Sequence, residues 1–167
     1  MEQAILINGK RITLKATAGA LVRYRQQFGT EYVDALQDAK DGNTLDKMTV
    51  GFNLVWAMAK TAYASTPAPE EFLKIFRDED DVATAIDCAN KLFARSLSGI
   101  KESDGANGEK LTSENLIALC MACGLSTTDI DNLSLSLLLN SINEYNRLRG
   151  VTDSGKRKAT QSDFDAF

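Results

Sequence analysis

The sequence predicts a mostly α fold, α+β with helices dominating, opened by a short N-terminal β-hairpin. Three observations carry this. Asn8-Gly9 sits between two short alternating segments. From Thr17 onward the apolar residues recur at three- and four-residue spacing. The helical stretches are separated by Gly, Pro and Asp/Asn turns.

The hairpin is expected over residues 4–16. Ala4–Ile7 and Arg11–Ala16 flank the Asn-Gly pair, which suits a two-residue type I′ turn because both positions need positive φ. Ile12 and Leu14 alternate with Arg11, Thr13 and Lys15, as in a strand with one buried face. Thr17 is the expected N-cap of the first helix, Leu21, Tyr24, Arg25 and Phe28 share one face, and Gly29 suits its stop. A second short helix is expected over 31–40, with Tyr32, Val33 and Leu36 inward. Asp41-Gly42-Asn43 is a turn. Residues 45–65 form the most apolar helix; Leu54, Val55, Trp56, Met58 and Ala59 cover most of its circumference, so it is expected at the centre.

Pro67 and Pro69 end that helix, and Pro69 fits the first position of the next, with Glu70 and Glu71 on its dipole. Phe72, Leu73 and Phe76 are its expected inner face. Asp78-Glu79-Asp80-Asp81 opens a further helix with Val82, Ala85, Ile86, Ala89, Phe93 and Leu97 at helical spacing. Residues 98–110 (SGIKESDGANGEK) read as a flexible linker and place the domain boundary, with residues 1–97 as the first unit. Residues 111–150 read as a helical C-terminal unit: a helix from Ser113 to Cys123 stopped by Gly124, a short turn of helix over 127–132, and a last helix from Ser134 to Arg149. Leu135, Leu138, Leu139, Ile142 and Tyr145 make the core face of that last helix, while Leu137 and Leu148 fall opposite. Residues 151–167 have too few apolar residues to fold alone and read as a disordered tail, although it keeps Phe164 and Phe167.

Composition narrows the function classes. The chain has 167 residues, 44% of them hydrophobic, and a net charge of −4. That acidity argues against wholesale nucleic-acid binding and a membrane-surface role. The longest apolar stretch, around Leu54–Ala59, is too short to span a bilayer. The start, MEQAILINGK, lacks the basic start and long apolar run of a signal peptide, so the expected location is cytoplasmic. There is no histidine, the commonest general base and metal ligand, which points away from an enzyme and from bound cofactors.

Several patterns have a chemical reading beside a structural one. Cys120-Met121-Ala122-Cys123 is a CxxC, but it lies at the end of a predicted helix rather than at an N-terminus, where the dipole lowers a thiol pKa in a redox motif; core packing is the better reading. Residues 103–114 loosely match a calcium loop, with Asn107, Gly108 and Glu114 in register but Ser103 and Gly105 where carboxylate or amide oxygens belong. Asp78–Asp81 reads as a solvated helix start rather than a cation site. Lys10, Arg11, Lys15, Arg23 and Arg25 make the N-terminal end locally basic, which suits ordinary surface or an acidic docking partner better than nucleic acid.

Three stretches together resemble the tail assembly chaperones of long-tailed bacteriophages and prophages, in the long form with N-terminal domain and C-terminal extension. They are LKATAGALVRYRQQFGTEY (14–32), then LVWAMAKTA (54–62) with PEEFLKIF (69–76) after a proline turn, and the end RKATQSDFDAF (157–167). The helix–Gly–helix–helix unit over 111–149 lies where the family's C-terminal extension would. The resemblance implies a non-enzymatic binding protein. Its N-terminal domain would bind and solubilise the tape measure protein, and its C-terminal extension would recruit major tail protein. It would act in the host bacterial cytoplasm, be absent from the mature virion, and self-associate as a homo-oligomer. On this reading Leu137, Leu148, Phe164 and Phe167 are the expected partner-binding residues. The acidic run at 78–81 departs from the family pattern. The alternative reading is a small helical regulatory or adaptor protein that binds another protein.

Overall fold

The computed structural model describes residues 1–100 and 112–149. It is mostly α with a two-stranded antiparallel hairpin at the N-terminus. Strands β1 (Glu2–Ile7) and β2 (Lys10–Lys15) pair with Ile5 opposite Ile12 and Ile7 opposite Lys10. Asn8 and Gly9 take φ of 52° and 73°, the type I′ requirement. Ile7, Ile12 and Leu14 turn into the core.

Helix α1 (Ala18–Phe28) follows and stops at Gly29, whose φ of 75° is the left-handed cap. Thr17 holds the N-cap position with extended backbone, but its side chain caps nothing. Its carbonyl already accepts from the Ala20 N–H at 3.1 Å, and its buried hydroxyl meets no partner among the described residues. Helix α2 (Tyr32–Lys40) corrects the sequence reading of its inner face. Tyr32 and Ala39 are buried, whereas Val33 and Leu36 are 51% and 43% exposed. Tyr32, Ala35 and Ala39 lie on one stripe, and the small alanines let the helix approach its neighbour closely.

Helix α3 (Thr44–Ala62) is central and packs against β2, α1, α2 and α5. Asn43 and Asp46 form a reciprocal capping box at its start. The helix ends at Ala62, three residues before the expected Ser65, and the Trp56 indole N–H donates to the Pro67 carbonyl at 2.8 Å. Helix α4 (Pro69–Leu73) has Pro69 in its first turn. Phe72 and Phe76 are buried against Phe52, but Leu73 is exposed because the helix is too short to carry a full apolar face. Helix α5 (Glu79–Leu97) is capped by the Asp78 side chain, which accepts from the Asp81 N–H at 3.0 Å.

The C-terminal helices are α6 (Ser113–Ala122), α7 (Thr127–Asn132) and α8 (Leu135–Leu148), capped by Thr112, Ser126 and Ser134 respectively. Leu116, Cys120, Ile130, Leu135, Leu138 and Ile142 form their core. Ala18 of α1 belongs to that same cluster, and Leu21 and Phe93 pack against both this core and the first. The C-terminal helices therefore dock on α1 and α5. Residues 98–100 run on from α5, and the Gly99 carbonyl accepts from the Asn140 amide at 2.8 Å. The remainder of the expected linker and the expected disordered tail lie outside the described residues.

Candidate partner-binding surface

Leu137 and Leu148 are 53% and 71% exposed on α8. They are eleven positions apart, which returns to nearly the same face of an α-helix about 16 Å further along its axis. Ser141 and Glu144 occupy the same stripe between them. The Ser141 hydroxyl donates to the Leu137 carbonyl at 2.8 Å, and Glu144 takes a two-pronged bond from Arg147 at 2.6 and 2.9 Å. The two leucines are thus separate apolar points on one stripe, divided by polar side chains. Phe164 and Phe167 lie outside the described residues.

A larger apolar feature is not visible in any one segment. Leu21, Val33, Phe93, Leu97, Leu135 and Leu139 line a cavity of about 300 Å³ where α6 and α8 meet α1, α2 and α5. Glu31 and Ser113 stand at its polar edge. The Glu31 carboxylate accepts from the Ser113 backbone N–H and from the Ser113 hydroxyl, each at 2.8 Å. Arg25 stands 3.7 Å from Glu31 and 3.6 Å from Glu114, so one guanidinium faces two carboxylates at this edge. On the outer side of α6, Leu119 and Met121 are exposed as well. That helix has one charged residue in ten, Glu114, so it has no polar face to turn outward.

The charged patterns resolve into structural partners. Arg23 grips Asp131 through two bonds of 2.5 and 2.8 Å, tying α1 to α7. The hydrogen bond and charge of Arg23 hold the Asp131 carboxyl below its ordinary value, and Asp131 in turn raises Arg23. Lys15 donates to the Asn132 side chain at 2.7 Å and lies 3.6 Å from Glu2. Within the acidic run, Asp81 accepts from the Asn8 amide at 2.7 Å and from the Arg77 N–H at 2.9 Å. Asp78 and Asp81 thus cap α5 and anchor the hairpin turn.

Cys88 and Cys120 are buried free thiols and Cys123 is half-buried. Burial pushes the Cys88 and Cys120 thiols up, away from the reactive thiolate. Among the described residues, no three His, Cys, Asp or Glu side chains converge as metal ligands. Of the loose calcium-loop match, Glu114 is exposed beside Arg25, and positions 103–111 lie outside the described residues. Among the described residues no helix is long and apolar enough to cross a membrane.

Comparison with protein-family models, with curated proteins and with solved structures finds no match.

Proposed function

We propose that this chain is a tail assembly chaperone of a long-tailed bacteriophage or prophage. In that role it binds and solubilises the tape measure protein and recruits major tail protein subunits. It works in the host bacterial cytoplasm and leaves before the virion is complete. The observation that carries the reading is the order of three sequence stretches, 14–32, 54–76 and 157–167, on one short acidic chain.

The distribution of apolar surface is consistent with this role. Leu137, Leu148, Leu119 and Met121 are exposed in the C-terminal half as small, separated apolar points. Points of that size give a weak grip, which suits a partner that must later be released. A net charge of −4 keeps copies apart at long range and favours solubility.

The test is co-expression with the long helical protein encoded by the next downstream gene, followed by a soluble pull-down. A stable complex, with the partner insoluble when expressed alone, supports the chaperone. A partner that is soluble by itself and ignores this chain moves the weight to a helical regulator or adaptor.

A further inference from the structure

A second groove lies on the opposite side of the hairpin from the α5 contact. It holds about 260 Å³ between the outer edge of β2 and the 63–67 loop. The register fixes which backbone groups face it. Ile7 and Lys10 close the two-residue turn, and the Ala16 N–H donates to the Met1 carbonyl at 2.9 Å. Hydrogen-bonded pairs therefore fall at Lys10, Ile12, Leu14 and Ala16. Arg11 and Thr13 point their N–H and C=O groups away from β1, as an edge strand does.

The far wall is tied to α3 by side-chain hydrogen bonds. Trp56 holds the Pro67 carbonyl at 2.8 Å, and the Lys60 ammonium holds the Ala64 and Thr66 carbonyls, each at 2.7 Å. Ile12, Phe72 and Ile75 supply apolar lining, while Lys10 and Arg11 place positive charge at the rim. An unpaired strand edge beside an apolar floor and a basic rim fits an extended segment with an aromatic residue between two acids.

We propose that the β2 edge groove is the docking site for this chain's own segment Asp163-Phe164-Asp165. In a strand paired with β2, alternate side chains share faces with alternate residues of β2. Phe164 then falls on the Ile12 side, over the apolar floor. Asp163 and Asp165 fall on the Arg11 side, where opposite charges on neighbouring strands attract. Reach is sufficient. Residues 150–162, which connect α8 to this segment, span up to about 45 Å when extended. A folded unit of this size has a radius of gyration of only about 15 Å. The attachment also raises the local concentration of the segment to roughly the millimolar range. Docking would cover Phe164 until a partner displaces it.

The experiment is residue-resolved amide hydrogen exchange on the full chain. Arg11 and Thr13 amides are expected to be protected, and Phe164→Ala should speed their exchange roughly tenfold or more while leaving the Ile5 and Ile12 ladder amides unchanged. Asp163→Lys with Asp165→Lys should do the same, and adding Arg11→Glu should restore part of the protection. Arg11 and Thr13 amides that exchange at the unprotected rate would overturn the proposal. So would protection that ignores Phe164→Ala. Protection that appears only with rising concentration and a doubled mass assigns the groove to a second copy's tail and overturns docking within one chain.

Discussion

The carboxylate of Glu31, at the start of α2, caps Ser113, at the start of α6, across 82 positions of sequence. Both oxygens are used, each at 2.8 Å, and the Glu31 side chain is only 14% exposed. A negative charge at a helix N-terminus meets unpaired N–H groups and the positive end of the dipole. The contact also stands at the edge of the apolar cavity, so it fixes how the C-terminal helices seat on the first core.

Glu31→Ala is expected to destabilise the protein by about 1–3 kcal/mol, because it leaves the buried Ser113 N–H without an acceptor. Glu31→Gln should cost less, since one oxygen remains. Urea unfolding gives the magnitude. Amide exchange gives the location: α6 should lose protection before α3 does. Equal loss in both helices would place the effect elsewhere.

The Arg23–Asp131 pair predicts a pH dependence. Asp131 has a depressed pKa in the folded state, so it contributes stability that is fully present above the unfolded value of about 4. That contribution is lost as pH falls through the lower folded value. Both side chains are about a third exposed, which limits the contribution to under about 1 kcal/mol. Between pH 5 and pH 2, Asp131→Asn should flatten the stability curve. Some slope should remain, because Ser126 lowers Asp129 in the same direction. An unchanged slope in the variant would exclude the pair as its source.

Gly51 on α3 lies close against Ile86 of α5. A Cβ there would stand 2.7 Å from Ile86 Cγ2 and 3.1 Å from its Cδ1. Alanine favours a helix interior by up to about 1 kcal/mol over glycine, but overpacking beside a stiff β-branched side chain costs about 1–3 kcal/mol. Gly51→Ala should therefore lose stability overall. Combining it with Ile86→Ala should cost less than the sum of the two single changes, which a thermodynamic cycle measures directly.

Asn8 has two separable jobs. Its φ of 52° serves the hairpin turn, and its amide donates to the Ile75 carbonyl at 2.8 Å and to Asp81 at 2.7 Å. Asn8→Gly keeps the backbone freedom and removes both bonds. A loss of about 1–2 kcal/mol with the hairpin intact by NMR would isolate the tether. A neutral result would leave Asn8 as a turn residue alone.

These contacts explain what the sequence could and could not convey. Asn8-Gly9, Gly29 and the Asp78 cap are local, so neighbouring residues alone specify them. The inner face of α2 misled because its buried stripe is Tyr32 with Ala35 and Ala39, and alanine gives little hydrophobic signal beside Val33 and Leu36. A helical period running from Phe72 to Phe76 places Leu73 inward, but α4 ends at Leu73. The cavity drew on Leu21, Val33, Phe93 and Leu139, which come from four helices, so no window of sequence contains it. Exposure of Leu137 and Leu148 was legible because the core face of α8 is dense enough to define its opposite.

That exposure gives the test closest to function. Leu137→Glu and Leu148→Glu remove apolar surface without touching the core, so each should change stability by less than about 0.5 kcal/mol. Each should weaken partner capture in the soluble pull-down, by up to about tenfold if the leucine is buried in the complex. The two points are about 16 Å apart with polar side chains between them, so they should act independently on a long helical partner, and the double variant should lose the product of the single effects. If instead one leucine accounts for the whole loss, the contact is a single point at one end of α8 rather than a track along it. Unchanged capture by the double variant would remove α8 from the interface and leave Leu119 and Met121 on α6 as the next face to probe.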